Sequence, residues 1–147
     1  MIIDFRVNAE PVGKGRPRAT NKDGWMNNYT PKRTKEFEDI VRYDFISQIR
    51  EEKPVFKADT ALNARVIIAQ TVPRSYPKKL REKCLAHKVV PTKKPDIDNV
   101  LKAVFDALNG FAYEDDKQIV QVYAWKVYAE EGHVDVRIWP SVFNEEE

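Results

Sequence analysis

An apolar repeat at helical spacing, between residues 99 and 108, is the feature that most constrains the fold. The positions that carry it are Val100, Leu101, Val104, Phe105 and Leu108. They predict an amphipathic helix with one continuous buried face, and Asn109-Gly110 supplies a stop signal after it. A helix of this kind is stable only against a second layer of structure, so the rest of the chain must provide that layer.

Strand-like segments are available to form it. The sequence predicts strands over residues 3–9, 61–71, 119–129 and 133–140. In the strand predicted over residues 119–129, apolar residues follow one another without alternation, which predicts a central strand buried on both faces. Two more helices are predicted: one capped by Thr34 and running to about Glu51, and a short one over residues 75–88. Residues 11–33 predict a long loop, or a loose hairpin around Lys22-Asp23-Gly24.

This order of elements predicts an α/β (α+β) fold. The expected architecture is a mixed sheet of about four strands with two to three helices packed on it. With 147 residues and no internal repeat, the chain is expected to form one domain over residues 1–143, with a disordered acidic tail at 144–147.

The chain is expected to be soluble and cytoplasmic. Its single cysteine, Cys84, excludes an internal disulfide and is interpreted as structural. The first residues lack the pattern of a signal peptide, and no apolar run approaches about 18 residues, so no membrane partner is expected.

Charge is sorted along the chain, although the net charge is only +2. Residues 11–35 and 71–94 together hold 15 of the 25 basic residues and 2 of the 23 acidic ones. A polyanion such as DNA is the natural partner for such segments, and two solvated lysine-rich loops are the alternative. The residues predicted to bind DNA are Lys14, Arg16, Arg18, Lys32, Arg33, Arg74, Lys78, Lys79, Lys93 and Lys94.

Two carboxylates and an ammonium crowd the start of the apolar helix. With Asp98 as the N-cap, Lys102 lies one turn along and about 40° around the axis. Asp96 precedes the cap on the same side. Two carboxylates this close repel each other unless a cation lies between them, and Mg²⁺ prefers such oxygen ligands. The turn at Asp115-Asp116 offers further carboxylates that can return to the same point.

Simpler interpretations stay open for each residue. Asp98 is then only a cap, Asp96 only a connector acid, and Asp115-Asp116 only a polar turn. On the metal interpretation, carboxylates beside basic loops suit phosphodiester hydrolysis, with Lys102 stabilising the charge of the transition state. The alternative for Lys102 is an ion pair with Asp98 or Asp106.

These residues resemble a known family. PDIDNVLKAVFDALNG, followed by YEDDKQIV, is similar to the D-x-D-N-x-x-K, D-A-L and D-D-x-Q-[IV] pattern of the RusA Holliday-junction resolvases of bacteria and their phages. The matched block spans residues 93–128, and GKGRPR and YTPK resemble N-terminal stretches of some members.

The resemblance implies a homodimeric endodeoxyribonuclease that resolves four-way DNA junctions by paired symmetric nicks. It implies dependence on Mg²⁺, or Mn²⁺, and no small-molecule cofactor. The catalytic residues it implies are Asp96, Asp98, Asp116 and Lys102. The metal ligands it implies are Asp96, Asp98 and Asp116, with Asp115 as the alternative to Asp116.

Two other functions compete with this one. Pro95-Asp96 with Asp115-Asp116-Lys117 formally fits the short PD-(D/E)xK nuclease pattern, although that pattern requires its acid and lysine on a strand. A non-catalytic protein that binds branched DNA through its basic loops is the second alternative.

Overall fold

The computed structural model describes residues 1–15 and 31–144, together with the backbone of residues 18–22 and 25–29. Six strands and three helices are described. The strands are β1 (Ile3–Val7), β2 (Arg18–Lys22), β3 (Trp25–Tyr29), β4 (Leu62–Thr71), β5 (Ile119–Ala129) and β6 (His133–Pro140). The helices are α1 (Lys32–Gln48), α2 (Lys78–Leu85) and α3 (Ile97–Ala107). This α+β architecture confirms the predicted fold class.

The main sheet is mixed and has the strand order β1-β6-β4-β5. β4 and β5 run parallel, with Val66 opposite Ala124, whereas β6 is antiparallel to both β4 and β1. Because a parallel pair needs a long crossover, the chain between β4 and β5 has room for two helices. α2 and α3 occupy that crossover.

The core lies between this sheet and the helices α1 and α3. Alternate residues of β1, β4 and β6 point toward the helices, which explains the alternation of apolar residues in β1 and β6. The largest fully buried side chains include Phe37 and Phe45 of α1 and Ile68 of β4. On α3, the buried face is formed by Val100, Ala103, Val104, Phe105 and Ala107, so the predicted apolar face is confirmed.

β5 is an edge strand, and the prediction that it is central and buried on both faces is wrong. Only Tyr128 of its eleven residues is buried. Tyr123 and Trp125 are 51% and 43% exposed, on the sheet face opposite the helices. Their apolar character does not reflect burial within one chain, which is why consecutive apolar residues misled the assignment.

Two predicted helix caps are also wrong. Pro31 occupies the N-cap position of α1, and Thr34 lies inside the helix, where its hydroxyl donates to the carbonyl of Gly13 and accepts from the N–H of Gly15. Asp96, not Asp98, occupies the N-cap position of α3, and its side chain makes no capping bond. α1 begins three residues and α3 two residues earlier than predicted. In each case the helix starts directly after an extended residue that is a proline or follows one.

A small second cluster packs α2 onto the end of β5. It consists of Val72, Cys84 and Tyr128, and Cys84 is buried and free, in agreement with a structural role. None of the helices that the structure describes is long and apolar enough to span a membrane.

The N-terminal basic segment contains a hairpin, the second of the two predicted alternatives. β2 and β3 pair antiparallel with Lys22 opposite Trp25; Asp23 and Gly24 lie outside the described residues. At the other end of the chain, Asn144 bonds to both the N–H and the carbonyl of Ala61. Residues 145–147 of the predicted tail lie outside the description.

Phe45 gives a test of this core. It is fully buried and packs edge-to-face on Phe5, with ring centroids 5.3 Å apart. Phe45→Ala is expected to lower the free energy of unfolding by about 3–5 kcal/mol, measured by urea denaturation. Tyr43→Ala, on the exposed face of the same helix, is the control and should stay within about 0.5 kcal/mol of wild type. Equal losses in both variants would contradict this packing.

Candidate active site

The N-terminus of α3 is the centre of the candidate site. Asp96 and Asp98 are both exposed there, and the carbonyl of Asp96 accepts the first helical hydrogen bond from Val100, at 3.1 Å. The segment that leads into the helix is held by the carboxyl-terminal ends of the two parallel strands. Gln70 of β4 donates to the carbonyl of Lys94 at 3.1 Å, and Lys126 of β5 donates to that of Lys93 at 2.6 Å.

A cavity of about 540 Å³ opens beside Asp96. One wall is the Gly13–Gly15 loop, which is bound to both neighbouring helices. The N–H of Lys14 donates to the carbonyl of Asn99 on α3 at 2.8 Å, while Gly15 bonds to Thr34 on α1. The approach is tight at Gly13, where a Cβ would lie 3.0 Å from Asn99 Cβ. Glycine at this position thus lets the loop lie directly on α3.

The cavity brings the two basic segments of the sequence together. Arg33 comes from the first, Lys94 from the second, and both line the cavity with Asp96. The N-termini of α1 and α3 also meet there, and their partial positive charges favour anions. Asp96 is therefore surrounded by groups whose charge favours an anion.

The turn before β5 is tightly built. Asp115 caps the short 3₁₀ helix at Asp116–Gln118, and the side chain of Gln118 accepts in return from the N–H of Asp115. The hydrogen bond from the Lys117 N–H lowers the pKa of Asp115. The N–H of Asp116 donates to Asn109 Oδ1 at 2.8 Å, just beyond the C-terminus of α3. The turn therefore returns to α3, as predicted.

It returns, however, to the second half of that helix. The carboxyl of Asp116 lies beside those of Asp115 and Asp106. Burial raises the pKa of Asp116, and the hydrogen bond with Asp115 and the charge of Asp106 raise it further. Asp106 lies eight residues after Asp98, which is about 12 Å along the helix axis.

The carboxylates are placed at two points along α3. Across residues 1–15 and 31–144, no three side chains among His, Cys, Asp and Glu are placed to hold a metal ion. Within one chain, Asp96 and Asp98 form one pair at the start of α3, and Asp106 and Asp116 form another near its end. Asp115, the alternative ligand, is exposed and engaged in its cap.

Lys102 lies between these two pairs. It is one turn from Asp98 and one turn from Asp106, and its side chain is exposed. Within the described residues it forms no ion pair closer than 4.0 Å with either, so the structure does not assign its ammonium to a salt bridge.

The other basic residues predicted to bind DNA differ in their surroundings. Most are exposed: Lys32, Arg33, Arg74, Lys78, Lys79, Lys93 and Lys94. The side chains of Arg16 and Arg18 lie outside the described residues. Lys14 alone among those described is turned into the protein, where it contacts Glu38 and Asp106.

Several residues of the site were missed from the sequence. Gln70 and Lys126 position the segment before Asp96, Asp106 is the partner of Asp116, and Gln118 builds the turn by donating to the carbonyls of Lys57 and Thr60. Lys126 gave one usable signal, since it is the only charged residue in an apolar strand.

Together, the fold and the site define an α+β protein with two exposed aspartates at the start of α3, of which Asp96 lines a cavity together with Arg33 and Lys94. The family model for endodeoxyribonuclease RusA matches residues 8–139, so the chain belongs to the RusA endodeoxyribonuclease family. It is also similar to an uncharacterized protein of Bacillus subtilis, YqaN, at 37% identity over 136 residues, which cover 92% of this chain and 94% of that protein.

The raised pKa of Asp116 predicts that replacing its carboxyl group stabilises the fold in a pH-dependent way. An acid whose pKa is raised on folding adds stability that is present below its unfolded pKa, about 3.9, and is lost as pH rises through the folded pKa. Asp116→Asn cannot ionise, so at pH 7 in chelator its Tm should exceed that of wild type. Because solvent screens most of the charge interactions of the Asp116 carboxyl, the increase in Tm should not exceed about 2–4 °C.

Thermal unfolding at pH 7 and pH 3 checks this. The advantage of Asp116→Asn should disappear at pH 3, where wild-type Asp116 is also neutral. Asp59→Asn, an exposed carboxyl before β4, is the control. A lower Tm for Asp116→Asn at pH 7 would mean that the carboxylate is stabilised where it lies.

Proposed function

We propose that this protein is a divalent-metal-dependent endodeoxyribonuclease that resolves four-way DNA junctions by paired nicks. The observation that carries the proposal is the exposure of Asp96 in a cavity lined by Arg33 and Lys94, with Asp98 also exposed two residues further on. Membership of the RusA family supports the reaction type.

Asp96 and Asp98 are the residues proposed to hold the metal ion. Mg²⁺ commonly binds through one or two carboxylates together with substrate phosphates, so a protein site of two carboxylates is compatible with it once DNA is bound. When bound, such an ion supplies a hydroxide-like nucleophile and neutralises phosphate charge. Lys102 is proposed to stabilise negative charge on the reacting phosphate, for which its exposed ammonium is free to move. Asp116 retains its proposed catalytic role, which requires it to act from beside Asp106.

Binding is proposed to use both basic segments. The cavity fixes one phosphate by Arg33, Lys94 and the two helix N-termini, with the exposed lysines of α2 extending the contact along the backbone. Contacts of this type read the path of the DNA strands rather than their sequence, which is compatible with selection of a branched shape.

The competing functions fit less well. In the PD-(D/E)xK class the second acid and the lysine lie on a strand, but Asp116 and Lys117 lie in a 3₁₀ turn. A protein that only binds DNA has no use for two exposed carboxylates in a basic cavity, because they repel phosphate.

Asp96→Asn separates catalysis from binding. We expect the variant to lose junction cleavage in Mg²⁺ by at least about 100-fold, since a metal ligand is removed, while it binds the junction as well as wild type or better. Cleavage of a synthetic four-way junction against linear duplex, with Mg²⁺ and with chelator, provides the measurement, and gel shift in chelator gives the affinity. Asp59→Asn is the matched control. Metal-dependent cleavage that persists at the wild-type rate in Asp96→Asn would refute this role.

A homodimer is part of the proposal, because two opposed nicks require two equal sites related by a two-fold axis. The edge of β5 is the proposed contact. Among the described strands, only β4 pairs with β5. This long apolar edge lacks proline, and its one charged residue, Lys126, is bound to the carbonyl of Lys93. Antiparallel pairing of two β5 strands centred on Ala124 aligns all eleven residues and places Tyr123 opposite Trp125 of the second copy.

Tyr123→Lys tests this contact. It places like charges next to the two-fold axis, so we expect the molar mass from light scattering to fall from twice 17.1 kDa to 17.1 kDa. The control is Tyr43→Lys, at a tyrosine on α1 that is more exposed than Tyr123 and should leave the dimer intact. Dimers in both variants would place the interface elsewhere, and a monomeric wild type would reject the dimer.

A further inference from the structure

Lys14 is a lysine of a basic segment that does not face solvent. Its Nζ lies 2.6 Å from Glu38 Oε1 and 3.4 Å from Asp106 Oδ2, and only 14% of its side chain is exposed. Burial lowers the pKa of the Lys14 ammonium, but the hydrogen bond and charge of Glu38, with those of Asp106, outweigh that effect and raise it. The ammonium is therefore charged and fully engaged at neutral pH.

This ammonium joins three parts of the fold. Glu38 belongs to α1, Asp106 to α3, and Lys14 itself to the loop that walls the cavity beside Asp96. The backbone of Lys14 is bound as well, because its N–H donates to the carbonyl of Asn99 in the first turn of α3. One residue thus ties the loop to both the beginning and the end of the helix that carries Asp96 and Asp98.

Glu38 makes the ion pair costly to break. It is buried, with 11% of its side chain exposed, and Lys14 is its partner in the described part of the chain. Moving the ammonium out to a DNA phosphate would leave that carboxylate buried without a cation, which is strongly unfavourable. The same movement would also take the ammonium away from Asp106, whose carboxylate lies beside that of Asp116.

We propose that Lys14 is a positioning residue, which holds the Gly13–Gly15 loop against α3 and so sets the geometry of the cavity at Asp96, and that it makes no phosphate contact. This proposal rests on the nuclease function proposed above. It separates Lys14 from Lys94, which lines the same cavity but is exposed and free to bind phosphate.

The experiment compares three variants. Lys14→Met/Glu38→Gln removes both charges of the ion pair, so that folding does not leave a buried carboxylate without a partner. Lys14→Arg keeps the cation, and Lys94→Met removes the exposed lysine. For each, we measure the salt dependence of junction binding in chelator, the single-turnover cleavage rate at saturating enzyme in Mg²⁺, and amide hydrogen exchange of the loop and of α3.

The double variant should keep the wild-type salt dependence, because no phosphate contact is lost. Its single-turnover rate should fall by about 10–100-fold, since small misplacements of catalytic groups have effects of that size. Exchange at residues 13–15 and 97–100 should become faster, and Lys14→Arg should restore most of the rate. Lys94→Met should instead reduce the slope of log affinity against log salt by about 0.9, the value for one phosphate.

Two results would overturn the proposal. A reduction of the slope in the double variant equal to that of Lys94→Met would make Lys14 a phosphate contact. Unchanged exchange at the loop would mean that Lys14 does not hold it. Both measurements are made without cleavage, so they decide the role of Lys14 even if the nuclease function itself fails, which a lack of metal-dependent cleavage in wild type would reveal.

Discussion

The parallel pairing of β4 with β5 is the constraint on which the rest of the structure depends. Parallel neighbours cannot be joined by a tight turn, so the chain leaves β4 at one end of the sheet and returns to start β5 at the other. The crossover must pack on the sheet, and the apolar face of α3 meets that requirement. The ends of both strands then hold the residues before Asp96 through Gln70 and Lys126. The sheet thus places the acidic pair at the carboxyl ends of its parallel strands, where open α/β sheets commonly bind ligands.

Local sequence patterns were sufficient to predict many elements of the fold. The periodicity of α3 and the alternation in β1 and β6 each depend on a few neighbouring residues, and the structure confirms them; the exact helix starts were predicted two to three residues too late. The position of β5 could not be derived in that way. Consecutive apolar residues report that a strand avoids water on both faces, but they do not distinguish burial inside one chain from burial against a second one. Tyr123 and Trp125 are exposed here, so the apolar run did not indicate burial within the chain.

The site was less predictable than the fold, for a related reason. Spacing along a helix indicates which residues share a face, and Asp98, Lys102 and Asp106 do so. It does not indicate where a later turn will return, and Asp116 meets Asp106 instead of Asp98 because Asn109 and Gln118 fix the turn near the end of α3. Basic residues pose the same problem. Lys14 and Arg33 belong to one basic segment, yet only a buried acid elsewhere in the chain, Glu38, decides which of them turns inward.

Electrostatics links the two halves of the proposed function. In the proposed function, Arg33, Lys94 and two helix N-termini draw anions to the cavity, but Asp96 on its wall and Asp98 two residues further on place negative charge close to a bound phosphate. Without a bound cation, the two carboxylates repel the phosphates of DNA. Without bound DNA, the protein offers a cation only two carboxylate ligands. Each ligand therefore supplies what the other lacks, and by thermodynamic linkage each must raise the affinity for the other by the same factor. In the proposed function, the complete site therefore assembles only on bound DNA, and hydrolysis is confined to strands already bound in the cavity.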